Sequence, residues 1–162
     1  MAPEAKLQSL LQDFRVAMLV THTGQGQMRA RPMALAEVEP NGTLWFLTSR
    51  RSGKMQELAK DGNVVVTMQT NTKFVSISGT AAPVENREKV AKVWNVGMKV
   101  WFPGGVEDPD LLLLKVESER GEYWDNSGTS GLKYLIEAGK ALLTGTRPEV
   151  ENDPKIHGKV KL

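Results

Sequence analysis

Arg29 and Arg31, one residue apart, and Lys54 further along this 162-residue chain are the side chains best suited to gripping a doubly charged anion. The arginines stand in Arg29-Ala30-Arg31-Pro32-Met33, and the lysine ends Leu47-Thr48-Ser49-Arg50-Arg51-Ser52-Gly53-Lys54. Alternate residues of a strand share a face, so Arg29, Arg31 and Met33 are expected to point the same way. A half-buried strand face normally carries apolar residues, and two guanidinium groups there call for an anion or a carboxylate. Lys54 falls in the first turn of a helix that Ser52 would cap, so its ammonium and the first backbone N–H groups would face one point. Thr48 and Ser49, ending the preceding strand, add hydroxyls. Such a set can hold a phosphate without a Walker or Rossmann loop. The same residue types also suit a solvated strand face, salt bridges to nearby glutamates, or a surface lysine; convergence of strand and helix start is what separates these readings.

Other chemistries find no footing. Gly24-Gln25-Gly26 lacks the third glycine of a dinucleotide fingerprint because Arg29 stands there, and Gly53-Lys54 lacks the upstream glycine of a Walker loop because Thr48 does. The two histidines, His22 and His157, have no second histidine at ligand spacing, so no metal site is expected. No serine sits in a nucleophile elbow. With no cysteine, thiol catalysis and disulfides are excluded. A net charge of +2, spread among acidic residues, argues against nucleic acid. The apolar run Leu111–Leu114 is far too short for a membrane span and the N-terminus does not read as a signal peptide, so a cytoplasmic protein is expected. Trp94, Trp101, Phe102, Tyr123 and Trp124 cluster late in the chain and suit core or dimer packing. Trp124, before a polar loop, also suits contact with a planar ligand.

The elements needed to position these groups follow from periodicity. Leu7, Leu10, Leu11 and Phe14 predict a helix over residues 4–14. Strands are expected at 16–21, 28–38, 43–48, 63–69, 73–83, 110–118 and 121–125, with Pro32 marking an edge or bulge. Helices are expected at 52–60, from an Asn86 cap through Trp94, briefly before Trp101, and at 132–139, with loops at 102–109 and 126–131. Residues 1–145 read as one domain and 146–162 as a polar, irregular or partly disordered tail. Six or seven short strands joined mostly by hairpins imply an α+β, antiparallel barrel-like domain.

The ordered set of Arg29 to Met33, Leu47 to Lys54, Trp101-Phe102-Pro103-Gly104-Gly105 with Asp108-Pro109-Asp110, and Glu122-Tyr123-Trp124-Asp125 closely resembles the general stress protein branch of the pyridoxamine 5′-phosphate oxidase-like, FMN-binding split-barrel proteins. The resemblance runs to about Gly145. It implies a six-stranded split β-barrel and a homodimer with FMN at the interface, FAD being an open alternative. Carried over by position, Arg31 resembles the arginine on the FMN phosphate, with Arg29 nearby and Lys54 as the second phosphate cation. Pro32 and Met33 would run along the isoalloxazine, and Leu47, Thr48 and Ser49 beside phosphate and ribityl. Lys73 and Phe74 lie on a strand that lines the family's site, and Trp124 resembles the aromatic reaching the flavin from the partner subunit. Pyridoxamine phosphate oxidases continue past that tryptophan with Arg-Leu-His-Asp-Arg; here Asp125-Asn126-Ser127-Gly128 follows. Without that clamp a phosphorylated substrate would lose charge-assisted hydrogen bonds worth roughly 1.5–3 kcal/mol each, so that oxidase activity is not expected. The loop from Trp101 to Asp110 stands outside the oxidase pattern and could cover the flavin instead.

Two functions follow. One is an oxidoreductase whose FMN takes electrons from a nicotinamide or other small donor, with no protein acid or base needed for bare hydride transfer. The other is a flavin-sequestering or sensing protein without turnover. A third, weaker option keeps the barrel and exchanges the ligand for haem or a deazaflavin.

Overall fold

The computed structural model describes residues 1–145 and 153–162. Helix α1 (Pro3–Leu11) opens the chain, with proline in its first turn where the missing N–H costs nothing. Strands β1 (Val16–His22), β2 (Met28–Val38) and β3 (Leu44–Ser49) follow as hairpins. Helix α2 (Lys54–Lys60) leads to β4 (Asn63–Gln69) and β5 (Lys73–Val84). Helix α3 (Arg87–Val93) and two 3-10 turns (Val96–Val100 and Gly105–Glu107) precede β6 (Leu111–Asp125), α4 (Gly128–Thr144) and β7 (His157–Lys161). All pairings are antiparallel in the order β3-β2-β1-β4-β5-β6-β7, and β3 also pairs with β6, which closes β1 to β6 into a six-stranded barrel. The expected α+β split barrel is the fold observed. No helix of the described residues is long and apolar enough to cross a membrane.

Alternation decides what fills the barrel. Leu19, Phe46, Val66, Ile77, Leu114, Val116 and Tyr123 point inward and are fully buried, and Leu7, Leu10, Leu11 and Phe14 bring α1 onto the same core. A second cluster on the outer side of β3 and β6 joins Trp45, Leu47, Leu111 and Leu113 to Val90, Met98 and Phe102. The start of β6 is therefore covered on both faces, and its apolar run Leu111–Leu114 needs no membrane to explain it.

The structure corrects four expectations. The strands expected at 110–118 and 121–125 are one strand: the charged stretch around Glu119 forms a bulge, with Ser78 opposite Arg120 and Gly79 opposite Ser118. A Cβ at Gly79 would collide with the Glu117 carbonyl oxygen, so only glycine permits the approach. Helix α4 begins at Gly128 instead of 132, and the expected loop shrinks to a turn in which Asp125 accepts from the Ser127 amide and hydroxyl. Ser52 does not cap α2, which starts at Lys54 with no side-chain cap. Finally, the end of the expected tail is strand β7, paired with Arg120 to Trp124 of β6, with Ile156 and Val160 buried. Residues 146–152 lie outside the described residues.

Candidate functional site

The site lies where the sheet splits. β2 pairs with β1 along Met28–Ala34, but with β3 only from Leu35, opposite Phe46, onward. Pro32, which cannot donate to a ladder, sits opposite Met18 in this half-paired stretch. Across the gap, Leu47, Thr48 and Ser49 pair only with β6. A cleft of about 330 Å³ opens there, lined by Pro32, Met33 and Ala34 on one side and Leu47, Thr48 and Ser49 on the other. Met98, Trp101 and Phe102 bring the first 3-10 turn against it, and Val16 completes the lining. The walls are mostly apolar, and the strand edges facing the cleft carry backbone groups that no neighbouring strand engages. A planar heteroaromatic ring is the ligand such a slot suits.

A cluster of charges adjoins the cleft. The Arg31 guanidinium donates to Thr21 Oγ1 at 2.5 Å and to Glu57 Oε2 at 2.7 Å, and Arg29 reaches Glu57 Oε1 at 3.3 Å. The Thr21 hydroxyl donates to Glu57 Oε2 at 2.6 Å. Register explains the convergence: Thr21 lies opposite Arg29 and Leu19 opposite Arg31, so β1 and β2 aim these side chains at the barrel end that α2 covers. Hydrogen bonds from Thr21 and then Arg31 hold the Glu57 carboxyl below the usual carboxylate range against the opposing effect of burial.

Lys54, one turn before Glu57, is as buried as that glutamate, at 8 % exposure. Its ammonium donates to Thr48 Oγ1 at 2.7 Å and to Ser52 Oγ at 2.6 Å, and it forms no ion pair among the described residues. Burial, then the nearby Arg31 charge, push its pKa down, with Glu57 pulling the other way. Thr48 both accepts from Lys54 and lines the cleft, so the ammonium and the ring slot are continuous. A buried cation satisfied only by neutral hydroxyls is a costly arrangement that an incoming anion would relieve.

Of the residues singled out from sequence, Arg29, Arg31, Thr48 and Lys54 meet in this cluster, while Pro32, Met33, Leu47 and Ser49 line the adjoining cleft. Ser49 already donates its hydroxyl to Asp110 at 2.5 Å. The fresh helix N-terminus contributes less than expected, since the Met55 and Gln56 amides turn back onto Ser52 and Gly53. Lys73, Phe74 and Trp124 lie elsewhere in the same chain: Lys73 pairs with Asp13 at 2.7 Å, and Phe74 opposes Trp124 on the outward face of β5 and β6. Thr21, Glu57, Val16, Ala34 and Met98 went unrecognised in the sequence. Glu57 had a signal, three residues after Lys54 on a helix; Thr21 had one too, a polar residue where Ala17 and Leu19 set an inward apolar alternation.

Comparison with known proteins places the chain among relatives. A family model described as pyridoxamine 5′-phosphate oxidase like matches residues 2–149. Protein bli-3 of Neurospora crassa is 32% identical over 129 residues, which cover 72% of this chain and 62% of that longer protein. The structure of a candidate general stress protein 26 from Jannaschia sp. CCS1 is 27% identical, covers 98% of this chain and 97% of its own, and superposes with a TM-score of 0.71. The general stress FMN/FAD binding protein of Xanthomonas citri is also 27% identical, over 78% of this chain and 89% of that one, with a TM-score of 0.64.

Proposed function

Since the chain belongs to the pyridoxamine 5′-phosphate oxidase-like family, alongside the general stress proteins it resembles, we propose that it binds FMN and acts as a flavin-dependent oxidoreductase. The observation that carries this reading is Lys54, a buried ammonium with hydroxyl partners only, opening through Thr48 onto a flat apolar cleft. The residues fit the cofactor: Lys54 and Arg31, with Arg29, would hold the terminal phosphate, and Thr48 would bridge to the ribityl chain. Pro32 to Ala34 and Leu47 to Ser49 would clasp the ring, with Met98 and Phe102 excluding water. Arg29, Arg31 and Lys54 set against Glu57 leave a surplus of two positive charges, which matches a phosphate monoester dianion.

When bound, the flavin supplies the redox chemistry, passing electrons from a small donor such as a nicotinamide nucleotide to an acceptor. Among the described residues no acidic or basic side chain lines the cleft, so the protein's part is to bind, orient and exclude water. We assign the second wall to another copy of the chain. Val16, Met18, Met28, Phe74 and Trp124 leave an exposed apolar outward face on the sheet, and Trp124 could reach a flavin only from a partner subunit. Working in the cytoplasm under stress conditions belongs to the same proposal.

The test is reconstitution: add FMN to the purified protein, follow quenching of flavin fluorescence, then add NADH or NADPH anaerobically. Stoichiometric binding with bleaching near 450 nm is expected (~450 nm being the usual oxidised-flavin band). Binding without bleaching by any donor would support the sequestering role instead, which the absence of an acid or base in the cleft also suits. Failure to bind flavin would end both readings.

A further inference from the structure

Lys54 serves an anion only if its ammonium waits in one place, and the long flexible stem of a lysine does not ensure that unaided. Two hydroxyls hold it, Thr48 Oγ1 and Ser52 Oγ. They stand on either side of the tight turn 49–51, which the Ser52 amide closes by donating to the Ser49 carbonyl at 3.1 Å. The place of the ammonium therefore depends on what fixes Ser49, Arg50 and Arg51.

One aspartate grips all three. The β3–β6 ladder sets Ser49 opposite Leu111, so the next residue outward on each chain segment, Arg50 and Asp110, meet where the pairing ends. The Arg50 amide donates to the Asp110 carbonyl at 2.8 Å. The Asp110 carboxylate accepts from the Ser49 hydroxyl at 2.5 Å through Oδ2 and from the Arg51 amide at 3.2 Å through Oδ1. An ionised carboxyl only accepts and can serve both donors at once. These bonds, the Ser49 hydroxyl's first, hold its pKa below the ordinary aspartate value against the opposing effect of desolvation. Arg51 Nε stands 3.8 Å from Oδ1 and partly offsets the carboxylate's charge. Asp110 is fixed in turn: its amide donates to Asp108 Oδ1 at 2.9 Å, and Asp108 Oδ2 accepts from the Gly104 amide at 3.3 Å. Arg87 Nη1 donates to the Asp108 carbonyl at 3.1 Å from α3. The loop carrying these aspartates is the one that lays Trp101 and Phe102 along the cleft, while Asp110 itself is not among the lining residues. One run of hydrogen bonds thus ties the ring wall to the turn that carries the lysine.

We propose that Asp110 is a positioning residue for the phosphate end of the site: by holding the turn between Thr48 and Ser52, it keeps the Lys54 ammonium aimed and dry before any anion arrives. It acts through the Ser49 hydroxyl and the Arg50 and Arg51 amides. That the anion is the phosphate of FMN rests on the flavin reading; the hold on Lys54 does not.

The test has two arms. In the first, flavin-free protein carrying isotope-labelled lysine is titrated with base and followed by NMR, the Lys54 signal being the one that Lys54→Met removes. Burial is the largest influence pushing the Lys54 pKa down, so in Asp110→Ala the loosened turn should admit water and move that titration up toward the ordinary lysine range. In the second, FMN and riboflavin affinities are measured. Asp110→Ala should weaken FMN roughly tenfold, the scale of a lost charged hydrogen bond, and leave riboflavin unaltered. In a Lys54→Met background it should weaken FMN no further, because both substitutions act through one ammonium. Asp110→Asn, of the same shape with one acceptor fewer, should fall between wild type and alanine; thermal melting checks that each variant folds, and the asparagine variant decides the matter if the alanine variant does not. An unmoved Lys54 titration, unchanged FMN affinity, an equal loss of FMN and riboflavin, or losses that add in the double variant would overturn the proposal and leave Asp110 a stabilising cap. If the wild type binds no FMN while the Lys54 titration still moves, the positioning role stands and the flavin reading falls alone.

Discussion

A buried ammonium without a counter-charge destabilises a fold by several kcal/mol unless something offsets it, and Lys54 has only two hydroxyls for the purpose. Lys54→Met should therefore leave the melting temperature of the flavin-free protein unchanged or raised, yet weaken FMN binding by about 1.5–3 kcal/mol, the worth of a charged hydrogen bond. A calorimetric scan and a binding titration read the two effects separately. The lysine's folded pKa lies below its unfolded one, so the unfolded chain binds more protons between the two values and stability rises with pH there. FMN affinity should run the opposite way, falling as pH rises through the folded value and the ammonium is lost. Glu57 has the opposite part. Its folded pKa is depressed, so its contribution is present above the ordinary carboxylate range and disappears as pH falls through the folded value. Glu57→Gln should cost on the order of 3 kcal/mol near neutrality, and urea unfolding curves of variant and wild type should converge in acid. The cations were legible in the sequence because charge on an inward strand face is conspicuous. Glu57 was not, because its one signal, the spacing of three from Lys54 on a short helix, is shared by surface pairs until the β1–β2 register sets Thr21 and Arg31 beside it.

At the scale of elements, β7 shows where sequence reading loses information. His157-Gly158-Lys159-Val160-Lys161 has one apolar residue and a glycine, which is weak evidence for a strand. Its support is non-local: the Tyr123 hydroxyl donates to the Pro154 carbonyl at 2.5 Å, the Asp125 amide to the Ile156 carbonyl at 2.6 Å, and the Leu162 amide to the Glu119 carbonyl at 2.9 Å. Gly158 lies so close under the Tyr123 ring that a side chain there would overlap it. Gly158→Val should consequently detach β7, seen as loss of hydrogen-exchange protection at the Arg120 to Trp124 amides while the β1–β2 amides remain protected. Retained protection in β6 would show that the strand is held by something else. By contrast β1 to β5 were readable, because each is an alternating or continuously apolar run bounded by turn residues such as Asn41-Gly42 and Asn71-Thr72.

For the whole molecule, closure of the barrel through β3 and β6 sets the cleft, since β3 leaves β2 at Phe46 and follows β6 instead. Hydrophobic patterning announced a barrel but not this departure, which depends on a pairing across more than sixty residues, as Ser49 opposite Leu111 shows. The proposed dimer adds a further level that one chain cannot display. Trp124→Ala and Lys54→Met should each weaken FMN binding, and a mixture of the two chains, unfolded and refolded together, should recover tight sites that neither parent has. Recovery requires that Lys54 and Trp124 come from different subunits; its absence would place both halves of the site on one chain.

The most direct test of the account compares FMN with riboflavin, which lacks the phosphate, on wild type and Lys54→Met. If Lys54 is held in readiness for a phosphate, wild type should prefer FMN to riboflavin by tenfold or more, and the substitution should remove most of that preference while leaving riboflavin affinity unaltered. An FMN preference that survives the loss of Lys54, or riboflavin binding as tight as FMN to the wild type, would contradict it.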